Sequence, residues 1–288
     1  MRPIVSEGDL DSRWEVARPA PGPVLPGIEM GGFRDRTAGE VEMKAVALPA
    51  VTVAFGCADS ELTLESGGAR RVLDGYVVGM SPDAHTLRGR RVDGIKMRLS
   101  PVVAYSVLGV APVDLSDSVV DIDELWGRAG ARLREQLAEI ASWDERFALV
   151  TAFLRRQYAQ RAADAEVTAT WHRLMAGKGL TSVTELAAGC GWSRKRLWSR
   201  FTAQIGVTPK HACRVVRFRR AFEMLVAGQS AAEAAIACGY ADQSHLHREV
   251  SGFVGMTPGM VARNPQEPEC TTAWEHSFKT GMWCVDDS

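Results

Sequence analysis

The stretch Ala187-Ala188-Gly189-Cys190-Gly191-Trp192 returns 48 residues later as Ala235-Ile236-Ala237-Cys238-Gly239-Tyr240. Past a one-residue insertion the offset becomes 49, so that Leu197 matches Leu246 and Phe201 matches Val250. Ile205-Gly206-Val207-Thr208-Pro209 then matches Val254-Gly255-Met256-Thr257-Pro258. Each copy reads as a short helix, a turn made of Gly and an aromatic residue, a longer helix, and a stop at Gly followed by Thr-Pro. That order is a helix-turn-helix, here duplicated.

Each part has a physical reason. Val183, Leu186 and Ala187 give the first short helix an apolar face. Gly191 can take the positive φ that a sharp turn between helices demands. Ser193 suits the N-cap of the next helix, in which Leu197, Phe201 and Ile205 lie one turn apart and face inward. Gly206 ends that helix, and Thr208-Pro209 starts the following one with proline in its first turn. Cys190 and Cys238 occupy equivalent small apolar positions, which reads as core rather than reactive thiol.

At ~100° per residue, Lys195, Ser199 and Thr202 point away from the buried stripe of the first long helix, with Arg196 and Trp198 at their flanks. The equivalent face of the second copy holds Ser244, Arg248 and Ser251, flanked by His245 and His247. A helix with one apolar stripe and a basic, polar outer face can enter a major groove. The candidate DNA contacts are therefore Arg194, Lys195, Arg196, Trp198, Ser199, Arg200 and Thr202 in the first copy. In the second they are Gln243, Ser244, His245, His247, Arg248 and Ser251. With fewer cations and with Gly252 in its helix, the second copy is expected to contribute less affinity and to read less sequence.

One long helix, 209–227, should join the copies as a stiff spacer with Val215, Phe218, Phe222 and Leu225 buried. Arg214, Arg217, Arg219 and Arg220 crowd its other faces. Arg214, Arg217 and Arg220 are candidates for contact with phosphate or with acidic partners on the protein. Two readers held by such a spacer should enter successive major grooves on one side of a duplex, about one helical turn apart.

Charge supports a polyanion-binding module attached to something else. The chain of 288 residues has a net charge of −1, but residues 168–263 carry 13 Lys and Arg against 5 Asp and Glu. Residues 1–167 carry 20 against 25, and residues 264–288 carry 1 against 5. Hydrophobic residues make up 46% and charged residues 24%, the balance of an ordinary globular protein rather than a disordered or disulfide-built one. No apolar run approaches a membrane span and no secretory leader is evident, so a cytoplasmic location without membrane contact is expected.

The first half reads as β followed by α. Residues 1–27, rich in Pro and Gly, are expected to be irregular. Short strands are expected at 41–47, 51–55, 61–66, 76–80 and 94–99, where residues alternate or form brief apolar runs between turn residues. Five or more short strands suggest a small barrel or sandwich. A short helix is expected at 101–109. Leu125, Ala129, Leu133, Leu137 and Ile140 recur at helical spacing, and Asp144 is placed to cap a further helix carrying Phe147, Val150, Leu154 and Tyr158. This helical pair reads equally as a cover for the sheet or as a dimer surface.

Catalytic and metal chemistry find little support. The six cysteines, at 57, 190, 213, 238, 270 and 284, form no CxxC pair. Cys270, His276 and Cys284 fit no standard zinc spacing. Asp114, Asp117, Asp121 and Asp123 do not follow an EF-hand order and read as a solvated loop with helix caps. No nucleophile elbow, P-loop or dinucleotide fingerprint is present. No cofactor and no enzymatic activity are expected.

The segment GYADQSHLHREVSGFVGMTPG at 239–259 closely resembles the C-terminal signature of AraC/XylS-type transcription regulators. LAAGCGWSRKRLWSRFTAQIGVTPKHACRVVRFRRA at 186–221 resembles the first helix-turn-helix and linker helix of the same family. The resemblance, over about residues 167–263, implies a DNA-binding domain of seven helices in two subdomains. It also implies base contacts at Lys195, Trp198, Ser199, Ser244 and Arg248. Leu246 stands where the family usually has Phe, a departure that one branch shares, and Trp198 is unusual for a base reader. GIKMRLSPVVAYSVLGV at 94–110, DIDELWG at 121–127 and the final MWCVDDS resemble the sensor half and tail of one subgroup.

The expected protein is thus α+β, with a β-rich, barrel-like regulatory or sensor domain and helical connector at 1–163. A double helix-turn-helix domain follows at 164–263 and a tail at 264–288. The expected function is sequence-specific regulation of transcription, as an activator, under control of the N-terminal domain. The expected partners are double-stranded DNA and RNA polymerase, with a small-molecule effector and a second copy of the chain as candidates. Two competing functions differ in kind. One is a ligand-binding or protein-interaction regulator whose DNA domain is secondary. The other is a DNA-repair methyl-transfer protein, which needs an activated cysteine that the sequence does not display.

Overall fold

The computed structural model describes residues 14–263 apart from 21–24, 38–39, 45–46, 58–59, 67–68, 81–85, 111, 116–118 and 158–160. Expectations for Cys270, His276, Cys284, Asp117, Tyr158 and the tail at 264–288 lie outside the described residues.

Among the described residues of the first half ten strands form: β1 (Trp14–Ala17), β2 (Ile28–Asp35), β3 (Glu40–Lys44), β4 (Val51–Gly56), β5 (Glu61–Ser66), β6 (Ala69–Leu73), β7 (Gly75–Val78), β8 (Thr86–Arg90), β9 (Asp93–Leu99) and β10 (Val119–Asp121). They make two antiparallel sheets, ordered β1-β2-β9-β4-β7-β10 and β3-β8-β5-β6. The sheets are not joined into a closed barrel among the described residues. The segment 1–27 was expected to be irregular, yet Trp14–Ala17 pairs with β2, Trp14 opposite Asp35. A short edge strand among prolines leaves little periodic signal.

The alternation of β4 sends side chains to two different cores, and β9 joins it on one of them. Val51, Val53, Phe55, Ile95, Met97 and Leu99 face a layer of helices. Ala54, with Tyr76 and Val78 of β7, faces Leu62, Leu64, Leu73 and Leu87 of the four-stranded sheet. The helical layer is α1 (Pro101–Val107), α2 (Ile122–Glu139) and α3 (Trp143–Gln157). Asp121 caps α2 by accepting from the Asp123 N–H at 2.8 Å, so two members of the acidic run serve a helix end. α3 begins one residue before Asp144, which lies in its first turn. Gly32 lets α3 come close: a Cβ there would fall 2.4 Å from the Trp143 ring. Arg146, 3% exposed, donates to Asp93 at 2.7 Å and to the Ile140 carbonyl at 2.7 Å, so its buried charge is paired.

Seven helices follow among the described residues: α4 (Ala165–Ala176), α5 (Val183–Gly189), α6 (Arg194–Ile205), α7 (Pro209–Val226), α8 (Ala231–Ala237), α9 (Gln243–Val254) and α10 (Pro258–Arg263). The duplication extends to the caps. Ser182 and Ser230 each close a capping box with Glu185 and Glu233. Both glutamates are held below the usual carboxylate range, chiefly by hydrogen bonds from Ser182 and Ser230. Gly191 and Gly239 take φ of +68° and +67° at the two turns. The fold is therefore α+β, a β-rich half with helices followed by a seven-helix array.

The two halves share buried surface. Ala47 and Met80 belong to the same apolar cluster as Leu197, Phe201, Phe218 and Leu246. A short 3-10 turn, Pro112–Leu115, and α1 pack against α6.

Candidate nucleic-acid interface

The helix α6 is set by its ends. Ser193 accepts the Arg196 N–H at 3.2 Å, and Gly206 closes the helix with φ of +93°. Between these caps Leu197, Phe201 and Ile205 are at most 1% exposed. That stripe turns Arg194, Lys195, Arg196, Trp198, Ser199 and Arg200 to the surface, all exposed. Trp198 is 55% exposed, an unusual state for so large an apolar side chain in a packed helical array. Arg196 lies over the Trp192 ring at 4.5 Å, so the turn aromatic orients a basic side chain of the exposed face.

Not every candidate is equally available. Arg200 donates twice to Asp164, at 2.7 and 2.8 Å, and so braces α6 against the start of α4. These hydrogen bonds hold the Asp164 carboxyl below its usual range. Thr202 is half-buried with its Oγ1 enclosed and without a hydrogen-bond partner. Three residues before Ile205, it lies only ~60° from that buried position and borders the core stripe.

In α9, Asp242 caps the helix by accepting the His245 N–H at 2.6 Å. Gln243, Ser244, His247 and Arg248 are exposed. His245 is half-buried, its ring edge-on to Tyr240 at 5.1 Å. Ser251 is the counterpart of Thr202; it too is turned partly inward, and its hydroxyl donates to the Met256 carbonyl at 3.3 Å.

The arginines of α7 are engaged within the protein. Arg214 reaches Glu249 at 2.6 Å, and Arg217 lies 3.5 Å from the same oxygen. Tyr240 donates its hydroxyl to the other oxygen of Glu249 at 3.0 Å. Burial, with the neighbouring carboxylate, pushes the Tyr240 phenol up, so it remains a donor. Arg220 donates to the Ala237 carbonyl at 2.9 Å, at the last residue of α8. Of Arg214, Arg217 and Arg220, candidates for phosphate or acidic protein partners, the first two meet a carboxylate. Glu249 itself was missed. The available signal was an acidic residue between Arg248 and the buried Val250, facing a linker helix with arginines three residues apart.

Residues 186–264 match the family described as helix-turn-helix domain. A 65-residue stretch is 34% identical to the uncharacterized HTH-type transcriptional regulator YbfI of Bacillus subtilis (strain 168), covering 23% of this chain. That stretch spans about a quarter (24%) of the curated relative's length. Among solved structures, apo ToxT K231A from Vibrio cholerae strain SCE256 aligns over 82% of this chain and 97% of its own, with 8% identity and a TM-score of 0.45. An AraC-type DNA-binding-domain regulator from Chromobacterium violaceum aligns over 36% of this chain and 94% of its own, with 22% identity and a TM-score of 0.34.

Proposed function

We propose that this chain is a transcription regulator of the AraC/XylS family and that it reads two successive major grooves with α6 and α9. Phosphate neutralisation by Arg and Lys supplies affinity, and the exposed faces around Lys195, Trp198, Ser199, Ser244 and Arg248 supply specificity. The observation that carries this reading is the pair of capped helices with the same buried stripe and exposed polar faces at equivalent positions. In this reading residues 1–163 are the regulatory domain, residues 164–263 the DNA-binding domain and residues 264–288 a separate tail. The protein activates transcription by contact with RNA polymerase, as a homodimer, in answer to a small-molecule effector, from the cytoplasm and without catalysis. Among the described residues no helix is long and apolar enough to cross a membrane. The Cys57 thiol, pushed up to about 11 chiefly by burial, is a poor nucleophile, which argues against methyl transfer at that residue.

The test is selection of genomic fragments by the purified full-length chain, followed by sequencing. The expected result is a site of two similarly oriented half-sites centred about 10–11 base pairs apart, with affinity that falls steeply as salt rises. Binding without sequence preference, or affinity indifferent to salt, overturns the proposal.

A further inference from the structure

A cleft of about 740 Å³ lies at the seam between the two motifs. One wall is the loop before α5 in the first motif, another is the start of α7, and the third is α9 of the second motif. Lys210, Arg214, Arg217 and Arg248 line it, with His245 and a single carboxylate, Glu249. That carboxylate already accepts from Arg214, Arg217 and Tyr240. Among the described residues, neither Lys210 nor Arg248 has an ion-pair partner, and both are exposed. Arg217 also keeps a buried Nε without an acceptor. The cleft is therefore a recess with surplus positive charge and unfilled donors, while its one acid is occupied.

We propose that this cleft seats phosphodiester groups of the DNA backbone between the two half-sites. The inference rests on the reading of α6 and α9 as groove readers. On one side of a duplex, two successive major grooves are separated by a minor groove bordered by phosphates. Helices that occupy both grooves must bring that backbone across the seam between them, and the cleft shares Arg248 with the exposed face of α9. Lys210 supplies a mobile point charge, and Arg217 supplies planar donors that suit phosphate oxygens. Glu249 keeps Arg214 and Arg217 in place before DNA arrives, so less side-chain freedom is lost on binding.

The test uses the full-length chain and a duplex that it selects from a random-sequence pool. In a second duplex, neutral methylphosphonate linkages replace the phosphodiesters between the half-sites. The wild-type chain should bind this duplex more weakly, by roughly five- to tenfold per contacted phosphate near ~0.1 M salt. Lys210→Gln should lower the log–log salt slope on the native duplex by about 0.9, so that it loses about 3.5-fold less affinity than wild type between about 50 and 200 mM salt. It should also respond less to the neutral spacer. If no duplex is selected, the groove-reading proposal itself falls. If a duplex is selected but the neutral spacer binds as tightly as the native one and the slope is unchanged, the cleft assignment alone falls. Inorganic phosphate titrated into the DNA-free chain separates the two sources of this chemistry. Saturable phosphate binding lost in Lys210→Gln, together with indifference to the spacer, assigns the cleft to a free anion and overturns the proposal.

Discussion

Arg200 and Glu249 occupy the same position in the two copies, 49 residues apart, with opposite charges, and each ties its helix to an earlier one. Arg200 grips Asp164 at the start of α4, and Glu249 is gripped by Arg214 and Arg217 of α7. The duplication has kept the mechanical role while inverting the charges. The environments differ: the Arg200 side chain is 53% exposed and that of Glu249 is 6% exposed.

That difference decides the sizes of the two effects. Removing one partner of an exposed pair costs about 0–1 kcal/mol, because water replaces the interaction and screens it. Removing the buried carboxylate leaves Arg217 and Tyr240 without their acceptor, at about 1–3 kcal/mol. Glu249→Ala is therefore expected to lower the midpoint of thermal unfolding measurably, and Arg200→Ala barely to change it. Calorimetry of the two variants checks the order; equal losses contradict the burial argument.

Gly206 and Gly255 offer a matched pair of a different kind. Both end their helices with left-handed backbone, at φ of +93° and +67°. Alanine at either position pays about 1–2 kcal/mol for that conformation. At Gly206 the new Cβ also falls 2.7 Å from the Pro112 carbonyl oxygen, whereas at Gly255 nothing lies within 4 Å. Gly206→Ala should therefore cost more than Gly255→Ala and should displace the turn at Pro112–Leu115 from α6. Faster amide exchange in residues 101–115 of Gly206→Ala, and not of Gly255→Ala, is the expected signature. Identical exchange in both variants contradicts the contact.

The helix-turn-helix half was legible because its determinants are local. Ser193, Gly191, Gly206 and the Leu197–Phe201–Ile205 spacing each act within one or two turns, and the second copy repeats them. The β half was read where residues alternate, as in Ile95, Met97 and Leu99 of β9, or form brief apolar runs between turn residues, as in β4. β2 breaks its pattern with Gly31 and Gly32, the second of which exists to admit Trp143 of α3. That reason is 111 residues away and has no local trace. Met80 and Ala47 in the core of the other half, and Glu249 beneath Arg214, are likewise non-local.

Lys195 is exposed in the first turn of α6, two residues before the buried Leu197. As a base reader, its loss should fall on the matching half-site alone. Lys195→Ala is expected to weaken binding to the selected duplex by about 1–3 kcal/mol and to relax preference at one position, with random duplex little affected. Competition binding against point-substituted duplexes reads both effects. Equal weakening on selected and random DNA assigns Lys195 to phosphate instead.

Asp164 gives the molecule an acid-sensitive brace. The hydrogen bonds from Arg200 lower its folded pKa beneath the unfolded value of ~3.9. A depressed carboxyl stabilises the fold in full above its unfolded pKa, and the contribution disappears as pH falls through the folded one. The pair is solvent-accessible, so the amount is at most about 1 kcal/mol and is further reduced by salt. Asp164→Asn should therefore be slightly less stable than wild type at neutral pH, with the two converging as pH falls through the depressed folded pKa of the carboxyl. A difference that persists undiminished in acid would place the stabilising role of Asp164 in its backbone position at the start of α4 rather than in its charge.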